Sequence, residues 1–172
     1  MRRFLDDIAP PLGCLHAVFV RSPHAHAGIG AIDAAEALAQ PGVVAVLTGT
    51  DLAPLVAPLR QAPPIDGLLP TEMPVLPVQA ARFVGDPVAL VLAESRIEAE
   101  DAAERVTIEW QPLPAITSVA DATAPVAALV DPTVPGNQVS VQSFATPGLD
   151  AAFVRAARVV EDEYGVRASL TL

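Results

Sequence analysis

Residues 88–110 read VALVLAESRIEAEDAAERVTIEW, and this stretch decides the fold. Val88 to Ala93 form a near-continuous apolar run. That is the pattern of a strand covered on both faces, not of a half-solvated one. Ser95 follows as a helix N-cap, and Glu98 stands three residues on, which is a capping box. The spacing predicts a helix over 96–104. Ile97, Ala99, Ala102 and Ala103 supply its apolar side, and Glu98, Glu100, Asp101 and Glu104 its solvated one. Arg105 lies where a cation suits the negative helix end. Residues 106–110 alternate as a strand, with Val106, Ile108 and Trp110 on one face, until Pro112 and Pro114 end it. The grammar is strand, cap, short alanine-rich helix, strand.

Working back toward the N-terminus, the same grammar recurs with little identity. Residues 15–21 read as a strand that Ser22-Pro23 breaks, and 26–32 as a second extended stretch. Asp33 caps a short helix over 34–39, with Glu36 at its N3 position. Pro41-Gly42 stops that helix, and 43–47 form an apolar strand. Together the two β-α-β units predict an α+β fold, a small mixed β-sheet with both helices packed on it. Between them, residues 51–74 carry six prolines with little periodicity and read as a long excursion. Order resumes at 75–78 and 82–84, and Gly85-Asp86-Pro87 is a turn.

Beyond Trp110 the pattern weakens. Residues 118–122 suggest one helical turn, 124–148 have Pro/Gly-rich linker composition, and 150–156 suggest a helix. Residues 159–172 read as a strand or strand pair without a visible partner. This implies either a fragment or a partner on another polypeptide.

Composition removes several function classes. The 172 residues are 52% hydrophobic, so a folded core is expected. Ten arginines, no lysine and twenty acidic residues give a net charge of −10. This argues against nucleic acid and against anionic lipid surfaces. Without lysine, neither a Schiff base nor a P-loop is available. Cys14 is the single cysteine, so an internal disulfide and a multi-thiolate metal site are excluded. No apolar run reaches the length of a transmembrane helix. The opening Arg2-Arg3 suggests a twin-arginine signal, but Asp6, Asp7, Pro10 and Pro11 interrupt its apolar region. The Leu-Gly-Cys at 12–14 fails as a lipoprotein signal for the same reason. A cytoplasmic location is expected.

Candidate chemistry is sparse. His24 and His26 alternate on an extended segment, and His16 lies one strand back, so a three-imidazole metal site is conceivable beside the plainer reading of an exposed edge. Cys14 has His16 nearby in sequence, which is no catalytic geometry in itself. Gly28-Ile-Gly30 is half a dinucleotide fingerprint without its third glycine. Asp86 occupies a turn, where an aspartate usually binds its own backbone. No Ser-His-Asp set is readable.

Several stretches in order resemble one family: RFLDDI at 3–8, LHAVFVRSPHAHAGIGAID at 15–33, PGVVAVLTGTDL at 41–52, RFVGDPVALVLAES at 82–95 and AEDAAERVTIEWQPLPAI at 99–116. They are similar to the N-terminal α/β hammerhead domain of the molybdenum-binding subunit of the xanthine dehydrogenase/aldehyde oxidase family. GLDAAFVRAARVVEDEY at 148–164 resembles that family's passage into the large molybdenum-binding domain.

The resemblance implies a hammerhead domain at 1–123, a linker at 124–148 and the start of a molybdenum-binding domain at 149–172. It implies a non-catalytic role beside a larger molybdopterin-binding catalytic chain and an iron–sulfur subunit. Molybdenum-molybdopterin, [2Fe–2S] clusters and FAD would all sit on partner chains, and this chain alone would bind no cofactor. No position matches the family's catalytic or cofactor-binding residues, so none is assigned. The candidate interface residues are Arg21, His24, His26, Arg82, Gly85 and Asp86. Two alternatives remain beside this: a stand-alone binding or assembly module with the three histidines as its ligand set, and a degraded gene product without a role. Substrate and electron acceptor are not readable from these residues.

Overall fold

Among the described residues, the strands pair only antiparallel, and none of them pairs within its own strand–helix–strand unit. These features come from a computed structural model, which describes residues 9–61 and 66–162. The elements in chain order are β1 (His16–Arg21), β2 (Ala27–Asp33), α1 (Ala35–Leu38), β3 (Val43–Thr48), α2 (Gly49–Leu52), β4 (Leu59–Gln61), β5 (Thr71–Met73), β6 (Ala80–Ala81), β7 (Pro87–Ala93), α3 (Arg96–Ala103), β8 (Thr107–Pro112), α4 (Val119–Ala122) and α5 (Leu149–Arg155).

One three-stranded sheet has the order β1-β7-β3, a second has β6-β2-β8, and β4 and β5 form a two-stranded ribbon. The α+β class is therefore the expected one, but the single sheet is divided. The two units exchange partners: β3 of the first pairs with β7 of the second, and β2 with β8. Chain length explains this. Only residues 34–42 separate β2 from β3. A parallel crossover within one sheet needs a dozen residues or more, so the short connection carries the chain from one sheet to the other.

The core lies where both units meet. Ala37 of α1, Val91 of β7, Ala102 of α3 and Val106 form its buried centre, with Val20, Ile32, Val43, Val46, Ala103 and Ile108 packed around them. Small side chains on the helices let them settle closely on the strands. Fully burying a valine such as Val91 contributes about 1.5–3 kcal/mol.

One of the two expected caps forms. Ser95 Oγ accepts from the Glu98 N–H (3.3 Å) and donates to Glu98 Oε2 (2.8 Å). At α1 the N-cap is Ala34 instead of Asp33 and makes no side-chain capping bond; Asp33 Oδ1 accepts from the Ala35 N–H (2.9 Å), two residues on, as in a turn. Helix α2 was not expected, although Thr48 and Asp51 have capping-box spacing. The Thr48 N–H and hydroxyl both donate to Asp51 Oδ2 at 2.7 Å. Gly49 opens that helix because a side chain there would strike the backbone of Leu76 and Pro77.

Three further expectations change in detail. The excursion at 51–74 begins inside α2 and contains the β4–β5 ribbon, so it is more ordered than its prolines suggest. Residues 82–84 are not a strand; the short strand is β6, just before them. Residues 156–162 form no strand, and the rest of the strand expected at 159–172 lies outside the described residues.

The chain divides into two compact units, residues 1–141 and 142–172. Linker composition begins at 124, yet 124–141 belong to the first unit. There Val134 is buried. Asn137 Nδ2 donates to the carbonyls of Ala122 (3.0 Å) and Ala128 (2.9 Å), and its Oδ1 accepts from the Val130 N–H (2.9 Å). Within the second unit, α5 places Leu149, Ala152 and Phe153 at helical spacing, and all three are exposed.

Candidate functional site

Two turns lock together at one end of the first unit. The Ser22 N–H donates to the Asp86 carbonyl (2.9 Å), and the Gly85 N–H donates to the Ser22 carbonyl (2.8 Å). The Ser22 hydroxyl closes its own turn, accepting from the His24 N–H (3.1 Å) and donating to the His24 carbonyl (3.0 Å). Gly85 adopts φ +89°, a left-handed conformation that suits glycine. Arg21 Nη1 donates to the Gly85 carbonyl (2.9 Å), and its guanidinium lies 5.5 Å from the Phe19 ring centre.

Asp86 is the buried carboxyl of this corner. Its Oδ2 accepts from the Arg82 N–H at 2.9 Å. Burial pushes its pKa above the usual carboxylate value, while the Arg82 N–H and the Arg82 charge pull the other way. The Arg82 side chain reaches outward, with Nη1 2.8 Å from Asp131 Oδ2. Asp131 is held below the usual carboxylate value, first by the Thr133 hydroxyl (2.6 Å from its Oδ1); burial opposes this, and the Thr133 N–H and the Arg82 guanidinium add to the lowering. Arg82 thus ties the Asp86 turn to the loop at 131–133.

The candidate residues therefore fall into a connected set, which His24 joins through its backbone only, and His26, which lies apart. Arg21, Arg82, Gly85 and Asp86 are joined directly or through Ser22. His24 contacts Trp110 edge to face, with ring centres 5.4 Å apart. His26 Nδ1 lies 2.9 Å from the Pro114 carbonyl. A carbonyl only accepts, so that nitrogen carries the hydrogen. The two imidazoles thus serve the β2–β8 side of the corner rather than a shared ligand. Among the described residues, no group of three His, Cys, Asp or Glu side chains is placed to hold a metal ion. The exposed Cys14 thiol contacts its neighbour's carbonyl, Leu15 O, at 3.8 Å.

Sequence reasoning missed Ser22, Trp110 and the Asp131–Thr133 pair as members of this corner. Ser-Pro-His and Asp-x-Thr are local turn motifs that could have marked Ser22 and Asp131. Nothing local reveals the 49-residue reach from Arg82 to Asp131.

Beside the corner lies a cleft of about 480 Å³, lined by Pro58, Arg60, Pro70, Glu72, Pro74, Arg82, Asp131 and Thr133. It is open to solvent and balances two cations against two carboxylates. A smaller apolar groove of about 180 Å³ runs between α2 and the segment 74–78. Neither fits a molybdopterin, which needs an enclosed cavity and convergent polar donors.

Comparison with known proteins identifies the folded body to which this corner belongs. Residues 2–114 match the family profile described as aldehyde oxidase and xanthine dehydrogenase, a/b hammerhead domain. The chain is 43% identical to the nicotine 6-hydroxylase large subunit of Paenarthrobacter nicotinovorans over 111 residues, covering 64% of this chain and 14% of that protein. It is 41% identical to the carbon monoxide dehydrogenase large chain of Afipia carboxidovorans, covering 74% of this chain and 15% of that one. The crystal structure of quinoline 2-oxidoreductase from Pseudomonas putida 86 superposes with a TM-score of 0.84 at 40% identity, covering 92% of this chain and 20% of that one. The chain thus spans a fifth or less of these relatives, and through its hammerhead domain it belongs to the aldehyde oxidase and xanthine dehydrogenase family.

Proposed function

We propose that this chain is the non-catalytic hammerhead portion of a molybdenum hydroxylase and works packed against a larger molybdopterin-binding catalytic body. One observation carries the reading: almost the whole chain superposes on a fifth of a known oxidoreductase chain. In this reading, Arg21, His24, His26, Arg82, Gly85 and Asp86 shape a corner that faces a partner. The complex carries molybdenum-molybdopterin on the larger body, with [2Fe–2S] clusters on an iron–sulfur subunit and FAD on a further partner chain, in the cytoplasm. When bound there, the molybdenum group supplies two-electron oxidation. This chain's residues supply packing and orientation.

In the stand-alone alternative the histidines would have to leave these partners, since His24 meets Trp110 and His26 the Pro114 carbonyl. To test the proposal, the tagged chain is isolated from its native cells, associated sequences are identified, and molybdenum is quantified. Recovery of a large-chain sequence with near-stoichiometric molybdenum supports it. Recovery of the chain alone, free of molybdenum, contradicts it.

A further inference from the structure

The β4–β5 ribbon turns one patterned face to the open cleft. Pro58 and Arg60 stand two residues apart along β4, and Pro70, Glu72 and Pro74 do the same along β5; all five line the cleft. Side chains alternate between the two faces of a strand, so this spacing puts the five on one face. The register agrees: Arg60 lies directly opposite Glu72, while Leu59 and Met73 oppose each other on the reverse side. Opposite charges so placed ordinarily pair. Among the described residues, the exposed Arg60 and Glu72 side chains form no ion pair or hydrogen bond, with each other or with another group. The wall across from the ribbon is already satisfied. Arg82 Nη1 and Asp131 Oδ2 are paired at 2.8 Å, and the Thr133 hydroxyl donates to Asp131 Oδ1 at 2.6 Å. The cleft of about 480 Å³ therefore presents one unpaired guanidinium beside one unpaired carboxylate, among three proline rings that have no N–H to donate.

We propose that this cleft binds a small zwitterion of the α-amino acid class, with its carboxylate on Arg60 and its ammonium on Glu72. A guanidinium fork matches a carboxylate through two parallel hydrogen bonds, and a glutamate accepts from an ammonium. A ligand bearing only one of the two charges leaves one residue unmatched and meets it as a like charge. The net charge of −10 disfavours a simple anion as occupant, whereas a zwitterion is neutral overall. Pro58, Pro70 and Pro74 offer the ligand's carbon side chain an apolar surface, and the volume is that of a small-molecule site. Neither Arg60 nor Glu72 is among the six residues of the partner-facing corner, so this site stands or falls separately from the function proposed above.

The test is a titration of the full 172-residue chain followed by backbone amide NMR shifts. Phenylalanine is the probe, with phenylacetate, which lacks the ammonium, and phenethylamine, which lacks the carboxylate, as comparisons. Saturable shifts with phenylalanine are expected around 58–61, 70–74 and 131–133. Both comparison compounds are expected to bind about tenfold more weakly or worse, since each loses one charge-assisted contact. Arg60→Gln and Glu72→Gln are each expected to weaken phenylalanine binding by a similar factor while keeping the circular dichroism of the parent. The three-compound series uses the parent chain, so it decides the matter even where a variant fails to fold. Absence of saturable shifts up to about 10 mM phenylalanine overturns the proposal. Shifts centred elsewhere, a comparison compound that binds as tightly as phenylalanine, or unchanged affinity in either folded variant also overturn it.

Discussion

Asp86 and Asp131 stand on the two sides of Arg82 and respond to pH in opposite senses. Asp86 has a raised pKa, so its ionised form is costly in the fold. Its contribution is most favourable below the ordinary aspartate value and declines as pH rises through the raised one. Asp131 has a lowered pKa, so its contribution is present above the ordinary value and is lost as pH falls through the lowered one. Stability should therefore fall as pH rises from the ordinary aspartate value through the raised one of Asp86, and fall again as pH drops from the ordinary value through the lowered one of Asp131. Urea titrations across pH should show the upper decline vanish in Asp86→Asn and remain in Asp131→Asn. At neutral pH, Asp86→Ala should cost about 1–3 kcal/mol because the Arg82 N–H loses its acceptor, whereas Asp86→Asn keeps an oxygen there and should cost less. Removing the partly exposed Arg82–Asp131 pair should cost less than about 1 kcal/mol. Equal losses in Asp86→Ala and Asp86→Asn would count against this account of the corner.

At the scale of elements, short helices depend on caps and on close approach. Ser95→Ala should destabilise the first unit by about 1 kcal/mol through the first turn of α3. Gly49→Ala should cost about 1–3 kcal/mol, because its new methyl would sit 2.5 Å from the Pro77 carbonyl and 2.8 Å from that of Leu76. Denaturant midpoints for both variants check these values, and a neutral Gly49→Ala would contradict the described path of the excursion. Strand and helix positions were legible because period-two runs and Ser-x-x-Glu spacing are local signals, as in 15–21 and 95–104. Strand partners were not legible, since β2 meets β8 across most of a hundred residues. Helix α2 carried a local signal in Thr48-x-x-Asp51, hidden by the prolines after it. The packing of 124–141 depends on Asn137, whose three backbone bonds have no signature in composition.

For the whole molecule, sequence motifs led to the family, and the six candidate residues lie around two linked turns whose partner-facing role is a proposal. What escaped the sequence was how that corner is held. The molecule is read here as an accessory body whose chemistry belongs to a larger companion. The most direct measurement is turnover of aldehydes and N-heterocycles by the purified 172-residue chain, with a dye as electron acceptor, before and after the larger molybdenum-bearing chain is added. The account predicts no turnover by the chain alone and turnover once its companion is present. Turnover of any such substrate by the chain alone would contradict it.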